Sequence, residues 1–386
     1  MNEKKKLELY LHIPFCEQKC AYCDFLSAPA DVDTKKRYVE ALVEEIKSKS
    51  KLFKQYSVPS VFIGGGTPSV LVGSFVGDIM EAIYTSFFVE KEAEITIECN
   101  PGTLNKEKVA NYKRAGINRI SMGLQSANNK ELRLLGRIHT YEDFLESYDL
   151  VRKAGFENVN VDLMCGLPMQ KREDWEQSLK KVVALRPEHI SAYSLIIEEG
   201  TPFYQHYGED EMRREAGEEP ILLPNEETER AMYEWTEQYL AQHGYLHYEI
   251  SNYAKPDKEC KHNIGYWKRE NYLGLGLGSA SLVENERYSN TTDLKEYLLG
   301  EYEKRDSMHI DRQAQMEEYM FLGLRMLQGV SREAFKKCFQ VEPEAVYGEE
   351  MVRLCRQGVL QQKEGFISLT KEGISVSNYV MAEFLK

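Results

Sequence analysis

Leu9-Tyr10-Leu11-His12-Ile13-Pro14-Phe15-Cys16-Glu17-Gln18-Lys19-Cys20-Ala21-Tyr22-Cys23 is a short apolar run that ends at a proline and opens into three cysteines within eight residues. The run from Glu8 to Pro14 has the composition and punctuation of a strand. The cysteines therefore sit on a loop directly after a strand. Three thiolates on a short loop can wrap one corner of an iron–sulfur cube, whereas common clusters take four. With three, one iron stays open to another ligand. The alternative reading is zinc held by the three cysteines and a histidine such as His12. Zinc sites commonly use two paired-cysteine motifs, and no second pair is present.

The same strand signature recurs downstream. Ser60–Gly65, Glu94–Asn100, Arg119–Gln125, Asn158–Cys165 and His189–Ile196 are short and aliphatic, and end in polar, glycine or apolar residues. Helical patterns fill the intervals: Asp33–Phe53, Val70–Phe88, Lys106–Ala115, Tyr141–Ala154 and Arg172–Leu185. Strand alternating with helix predicts an α/β fold with a parallel sheet. Six units fit an incomplete (β/α)6 barrel or a doubly wound sheet, and periodicity does not choose between them. In both, chemistry gathers at the carboxyl ends of the strands. That is where Gly64-Gly65-Gly66-Thr67-Pro68, Glu98, Gln125 and the cysteine loop fall, with Asp162 in the fifth strand.

Gly200–Glu227 is polar and acidic and reads as a mobile connection. A helix over Glu226–His243 and extended segments over Tyr245–Tyr253 and Gly274–Val283 follow. From about Asp311 the pattern changes to helices over Gln313–Leu327 and Ser331–Phe339, a short strand at Phe366–Leu369 and a last helix. The expected units are a barrel core over 1–225, an extension of it over 226–310, and a small helical or winged-helix-like domain over 311–386. Gly274, Gly276 and Gly278 suggest a dinucleotide loop, but the third required glycine falls at Ser279 and no acidic partner follows.

With 386 residues the chain can bury a full core, and its net charge of -13 disfavours nucleic acid as a partner. No apolar run is long enough to span a bilayer, and the first residues lack the apolar stretch of a signal peptide. A cytoplasmic protein without an integral membrane segment is expected. The other five of the eight cysteines are scattered, unlike a disulfide framework. Oligomeric state is left open.

The cysteine spacing, with Tyr22 just before the last cysteine, resembles the radical S-adenosylmethionine (SAM) superfamily. The strand leading into it, Gly64–Pro68, Gly123-Leu124-Gln125-Ser126, Asp162–Pro168 and the carboxyl-terminal region extend the resemblance to the oxygen-independent coproporphyrinogen III oxidase-like family over nearly the whole chain. That resemblance implies a TIM-like radical SAM barrel. It implies a 4Fe–4S cluster on Cys16, Cys20 and Cys23 whose open iron chelates SAM and cleaves it to a 5′-deoxyadenosyl radical. SAM contacts then fall on Tyr10, Tyr22, Gly65, Gly66, Thr67, Glu98, Gln125, Arg137, Asp162 and Ala280.

Two departures turn the expectation away from the decarboxylating oxidase. The oxidase carries a further cysteine two places after the last cluster cysteine, where Phe25 stands here. Only fifteen residues precede Cys16, too few for the oxidase's amino-terminal extension. His262-Asn263-Ile264-Gly265-Tyr266-Trp267 matches instead the H-N-x-x-Y-W motif of that family's haem-chaperone branch. The resemblance thus implies a haem chaperone with His262 as iron ligand, an unidentified haem acceptor, and a reductant for the cluster. Coproporphyrinogen decarboxylation is the alternative, and no catalytic residue is assigned.

Overall fold

The computed structural model describes residues 4–386; the first three residues of the terminus read above lie outside the described part. A two-residue strand β1 (Lys5–Lys6) precedes six strand–helix units. These are β2 (Glu8–Ile13), α1 (Val32–Ser50), β3 (Tyr56–Gly65), α2 (Gly73–Ser86), β4 (Val89–Cys99), α3 (Lys106–Arg114), β5 (Arg119–Gln125), α4 (Asn129–Leu134), α5 (Tyr141–Lys153), β6 (Val159–Cys165), α6 (Arg172–Ala184) and β7 (His189–Ser194). Strands β2 to β7 pair in chain order, and all these pairings are parallel. Local sequence sets the helix starts. Asp31 caps α1, Asn105 caps α3, and Thr140 with Asp143 forms a capping box on α5.

Alternation along the strands divides their side chains between two faces. Leu9, Leu11, Val61, Ile63, Ile95, Ile97, Ile120, Met122, Val159 and Val161 pack into one hydrophobic core with residues of the surrounding helices. The opposite face carries Glu8, Tyr10, His12, Ser60, Thr96, Glu98, Arg119, Ser121, Asn160 and Asp162. Most of that polar set is buried. A sheet with one greasy face and one buried polar face is built to enclose something polar.

The sheet does not close on itself. β10 (Tyr272–Leu275) adds in parallel beside β2, and the short antiparallel strands β8 (Leu246–Glu249) and β9 (Asn252–Ala254) finish the β7 edge. β11 (Ala280–Val283), β12 (Glu286–Ser289) and β13 (Arg305–His309) continue antiparallel beyond β10. Between them lie the helices α7 (Pro202–Glu215), α8 (Glu226–Gln242), α9 (Lys261–Trp267) and α10 (Leu294–Leu298). No helix among the described residues is long and apolar enough to cross a membrane.

The acidic stretch expected to be a mobile connection is largely helix. Thr201 caps α7, Pro202 fills its first turn, and Phe203 and Leu223 join a hydrophobic cluster against which Ala21 and Tyr22 of the cysteine loop pack. The remaining chain has a core of its own, from Met316 to Phe384. Its order is α11 (Arg312–Gly323), β14 (Val330–Ser331), α12 (Arg332–Phe339), α13 (Pro343–Arg356), β15 (Leu360–Lys363) and β16 (Phe366–Leu369). The sheet order β14-β16-β15 is that of a winged helix.

Candidate functional site

The loop between β2 and α1 folds back on itself. The Cys16 amide donates to Ala28 O at 3.2 Å, and the Ala28 amide to Pro14 O at 3.0 Å. Outside contacts fix its tip: the Ala21 amide donates to Leu135 O and the Phe203 amide to Ala21 O. Cys16 is buried, and Cys20 and Cys23 are half-buried. Burial, then the neighbouring sulfurs of Cys20 and Cys16, push the Cys23 thiol up, while the Phe25 amide and Lys19 oppose this. Cys20 and Cys16 thus lie close enough to Cys23 to act on its thiol. No three His, Cys, Asp or Glu side chains among the described residues converge as ligands of one ion would. Gly66 passes so close that a Cβ there would lie 2.9 Å from Cys16 Sγ and 2.7 Å from Phe15 O, so only glycine leaves Cys16 in place. Phe25 is 67% exposed beside this loop.

Behind the loop, three side chains link two of the sulfurs. Thr67 Oγ1 donates to Cys16 Sγ at 3.5 Å, and Asn100 Nδ2 donates to Thr67 Oγ1 at 2.9 Å. Arg137 Nη2 donates to Asn100 Oδ1 at 2.9 Å, and Arg137 Nη1 to Cys20 Sγ at 3.5 Å. Such donors are levers on the electronics of a thiolate-held cluster. Thr67 and Arg137 were expected at the site, but Asn100 was not. Its only sequence signal is its place immediately after the Glu98 strand end, before Pro101-Gly102.

The strand ends bring most of the expected SAM residues to this face. Glu98 Oε2 accepts the Gly65 amide at 3.1 Å. Burial, then the Asp162 charge, pushes the Glu98 carboxyl up to about 8, against the Gly65 amide and Arg119. Asp162, itself raised by burial, accepts Asn160 Nδ2 at 2.7 Å. Gln125 ends β5 in the left-handed region (φ 72°), and its Oε1 accepts the Tyr193 hydroxyl at 2.8 Å. Tyr22 packs edge-on against Phe203 at 6.2 Å. Ala280 opens β11, two strands from β2, and its carbonyl oxygen lies 2.2 Å from where a Cβ on Gly274, the register partner of Tyr10, would stand.

Helix α9 carries the His-Asn-x-x-Tyr-Trp motif and lies against the polar face at its lower end. Its approach depends on Gly265, where a Cβ would meet the Glu8 carboxyl at 2.2 Å. The His262 ring stacks on Phe62 at 5.2 Å and near Tyr10 at 6.5 Å. His262 Nδ1 hydrogen-bonds Ser60 Oγ at 2.9 Å, Nε2 hydrogen-bonds the Tyr266 hydroxyl at 3.1 Å, and its amide donates to Glu94. Burial, then Arg119, pushes its pKa down to about 3. In this conformation His262, expected as an iron ligand, is 1% exposed and both its ring nitrogens are engaged. On the other side, Arg325 stacks over Trp267 at 4.2 Å, and Arg269 pairs with Glu318 of α11 at 2.7 Å. The helix is held between the sheet and the carboxyl-terminal domain.

Residues 10–182 match the radical SAM superfamily, and residues 310–376 match the HemN C-terminal domain. The heme chaperone HemW of Lactococcus lactis is 36% identical over 384 residues, covering 99% of this chain and 98% of the relative. The chain belongs to the HemW family of radical SAM proteins. The HemW proteins of Bacillus subtilis and Escherichia coli are 35% and 33% identical over 97% and 98% of this chain, and over 98% of their own length. A solved structure titled as coproporphyrinogen III oxidase (HemN) from Escherichia coli shares the fold, with a TM-score of 0.82 over 99% of this chain and 90% of that one at 23% identity. Radical SAM membership implies a 4Fe–4S cluster and SAM. The residues fit them: three thiols on one loop, a glycine cradle at Cys16, and two side-chain donors aimed at sulfur.

Proposed function

We propose that this protein is a haem chaperone that binds haem and passes it to an acceptor protein, while retaining a SAM-binding cluster. The observation that carries this reading is full-length similarity, at 36% identity over 99% of the chain, to relatives named for that activity. The His262 imidazole supports it, because a pKa of about 3 keeps it in the neutral form that ligates iron. In the structure described, that ligand is stored. Haem coordination requires α9 to lift from Ser60 and Glu8, and the hold of Trp267 and Arg269 on the carboxyl-terminal domain makes that domain the natural partner of the movement.

When bound, a reduced cluster supplies an electron to the SAM sulfonium. The chain's own contribution is to hold the parts. Cys16, Cys20 and Cys23 ligate the cluster. Asn100 keeps Thr67 and Arg137 pointed at two of its sulfurs. Glu98 and Asp162 offer acceptors for ribose hydroxyls. A reductant and a haem acceptor are the partners this requires. Eight free cysteines suit the reducing conditions of the cytoplasm.

The test is transfer. Haem-loaded protein is mixed with a haem-free acceptor, and the visible spectrum is followed. Movement of haem faster than its spontaneous release is expected. The same cluster-replete protein, given coproporphyrinogen III, SAM and reductant without oxygen, is expected to leave the porphyrinogen intact. Accumulation of its vinyl product would replace the chaperone reading with decarboxylation.

A further inference from the structure

A cleft runs from solvent to Cys20, walled by Glu17, Gln18, Gly136, Arg137 and Ile138 among others. Its two sides are tied together. Gln18 Nε2 donates across it to Gly136 O at 3.4 Å, and a Cβ on Gly136 would stand 3.3 Å from the Ala21 nitrogen. Arg137 reaches its inner end, with Nη1 on Cys20 Sγ at 3.5 Å. Glu98, Gln125 and Asp162 take no part in its lining, so it approaches the cysteine loop from a side other than theirs. The charge here is opposite to that of the chain. Lys19 is exposed between Gln18 and Cys20, and Arg133 is exposed in the last turn of α4, three residues before Gly136. Lys108 Nζ donates to the carbonyl of Thr103, a lining residue, at 3.0 Å. Among the described residues Glu17 is the one acid in the lining. Ile138 stands on the same rim, 61% exposed. An apolar contact within a charged rim is the anatomy of a protein interface.

The geometry points to this cleft as the docking surface of the cluster's reductant, and to a small acidic one-electron carrier protein as the partner. The chain as a whole carries -13 and repels such a carrier at long range. At physiological salt, charges are screened beyond about 8 Å, so the cations around Cys20 decide the contact. A basic carrier would be drawn to the acidic surface elsewhere and repelled where Cys20 is near solvent. In the transfer one electron leaves the carrier and lowers the charge of the cluster by one. No bond forms or breaks, and with a flavin carrier the anionic hydroquinone becomes the neutral semiquinone without moving a proton. The assignment rests on the cluster and is independent of the haem reading.

Stopped-flow mixing of cluster-replete protein with the hydroquinone of an acidic flavodoxin tests this, with bleaching of the cluster as the signal. Dithionite, too small to need a docking surface, is the control reductant. Lys19→Glu and Ile138→Glu are each expected to slow reduction by flavodoxin about tenfold, and reduction by dithionite less than about twofold. Lys363→Glu makes the same change of charge on β15 of the carboxyl-terminal domain and is expected to keep the unmodified rate. Raising salt from about 0.1 to 0.5 M is expected to slow flavodoxin and the unmodified protein together. Calorimetry of oxidised flavodoxin with cluster-free protein is expected to rank the variants in the same order. Unmodified rates in Lys19→Glu and Ile138→Glu would overturn the docking surface. So would equal slowing with dithionite, or equal slowing in Lys363→Glu. A protein that takes up no cluster on reconstitution would overturn the cluster reading instead, and its visible absorbance before mixing separates the two failures.

Discussion

Replacing Glu8 by Gln measures how dry the polar face is. Glu8 is 5% exposed, and one carboxyl oxygen has no partner. Burial, with Glu270 and Glu94 adding to it against Ser60 and Lys6, pushes its pKa from 4.5 to about 9. The folded chain therefore holds a proton that the unfolded chain releases between pH 4.5 and about 9, and this group makes stability fall as pH rises through that window. At 1.36 kcal/mol per pH unit, keeping the acid protonated at pH 7 costs about 3 kcal/mol. Glutamine has the shape of the neutral acid without the titration, and its extra N–H costs about 1 kcal/mol if unpaired. Glu8→Gln should be about 2 kcal/mol more stable at pH 7, with the gain absent near pH 4.5 and larger still near pH 9. Urea midpoints of both proteins at pH 5, 7 and 8.5 report the difference, and other titrating groups cancel between them. Parallel pH dependence in the two proteins would refute a desolvated Glu8.

Asn100→Ala leaves Thr67 and Arg137 unsupported behind Cys16 and Cys20. The midpoint potential of the reconstituted cluster should become more negative in an EPR-monitored titration, because donors to sulfur favour the reduced state. Glu98, with a pKa of about 8, must lose its proton to accept two ribose hydroxyls. SAM affinity by calorimetry should therefore rise up to about tenfold per pH unit below 8 and level off above it, and Glu98→Gln should flatten the profile. Glu318→Ala removes the carboxylate that Arg269 and Arg287 share at 2.7 and 2.8 Å. Haem uptake in stopped-flow should become several-fold faster as α9 loosens, with a loss of about 3 kcal/mol in stability.

The strand–helix units were legible because each signal is local: aliphatic runs and helix periodicity. The start of β3 was hidden by Pro59, which sits where the β3–β4 register slips. The charge of Gly200–Glu227 masked the Thr201-Pro202 start of α7, and α13 went unread although Pro343 occupies its first turn. The three-cysteine loop was legible from its spacing and its place after a strand, and the structure sets it directly behind β2. The role of Asn100 was not, because it depends on partners contributed by other strand ends and is set by tertiary structure. The same is true of His262, whose motif is local but whose enclosure by Phe62, Ser60 and Tyr266 is not.

Whether His262 leaves its buried station to ligate haem iron is decided by haem titration of the unmodified protein and of His262→Ala, followed by the Soret band. Saturable binding with a histidine-ligated spectrum is expected in the first, and a shifted band with markedly weaker binding in the second. An unchanged Soret band and affinity in His262→Ala would contradict haem ligation by His262.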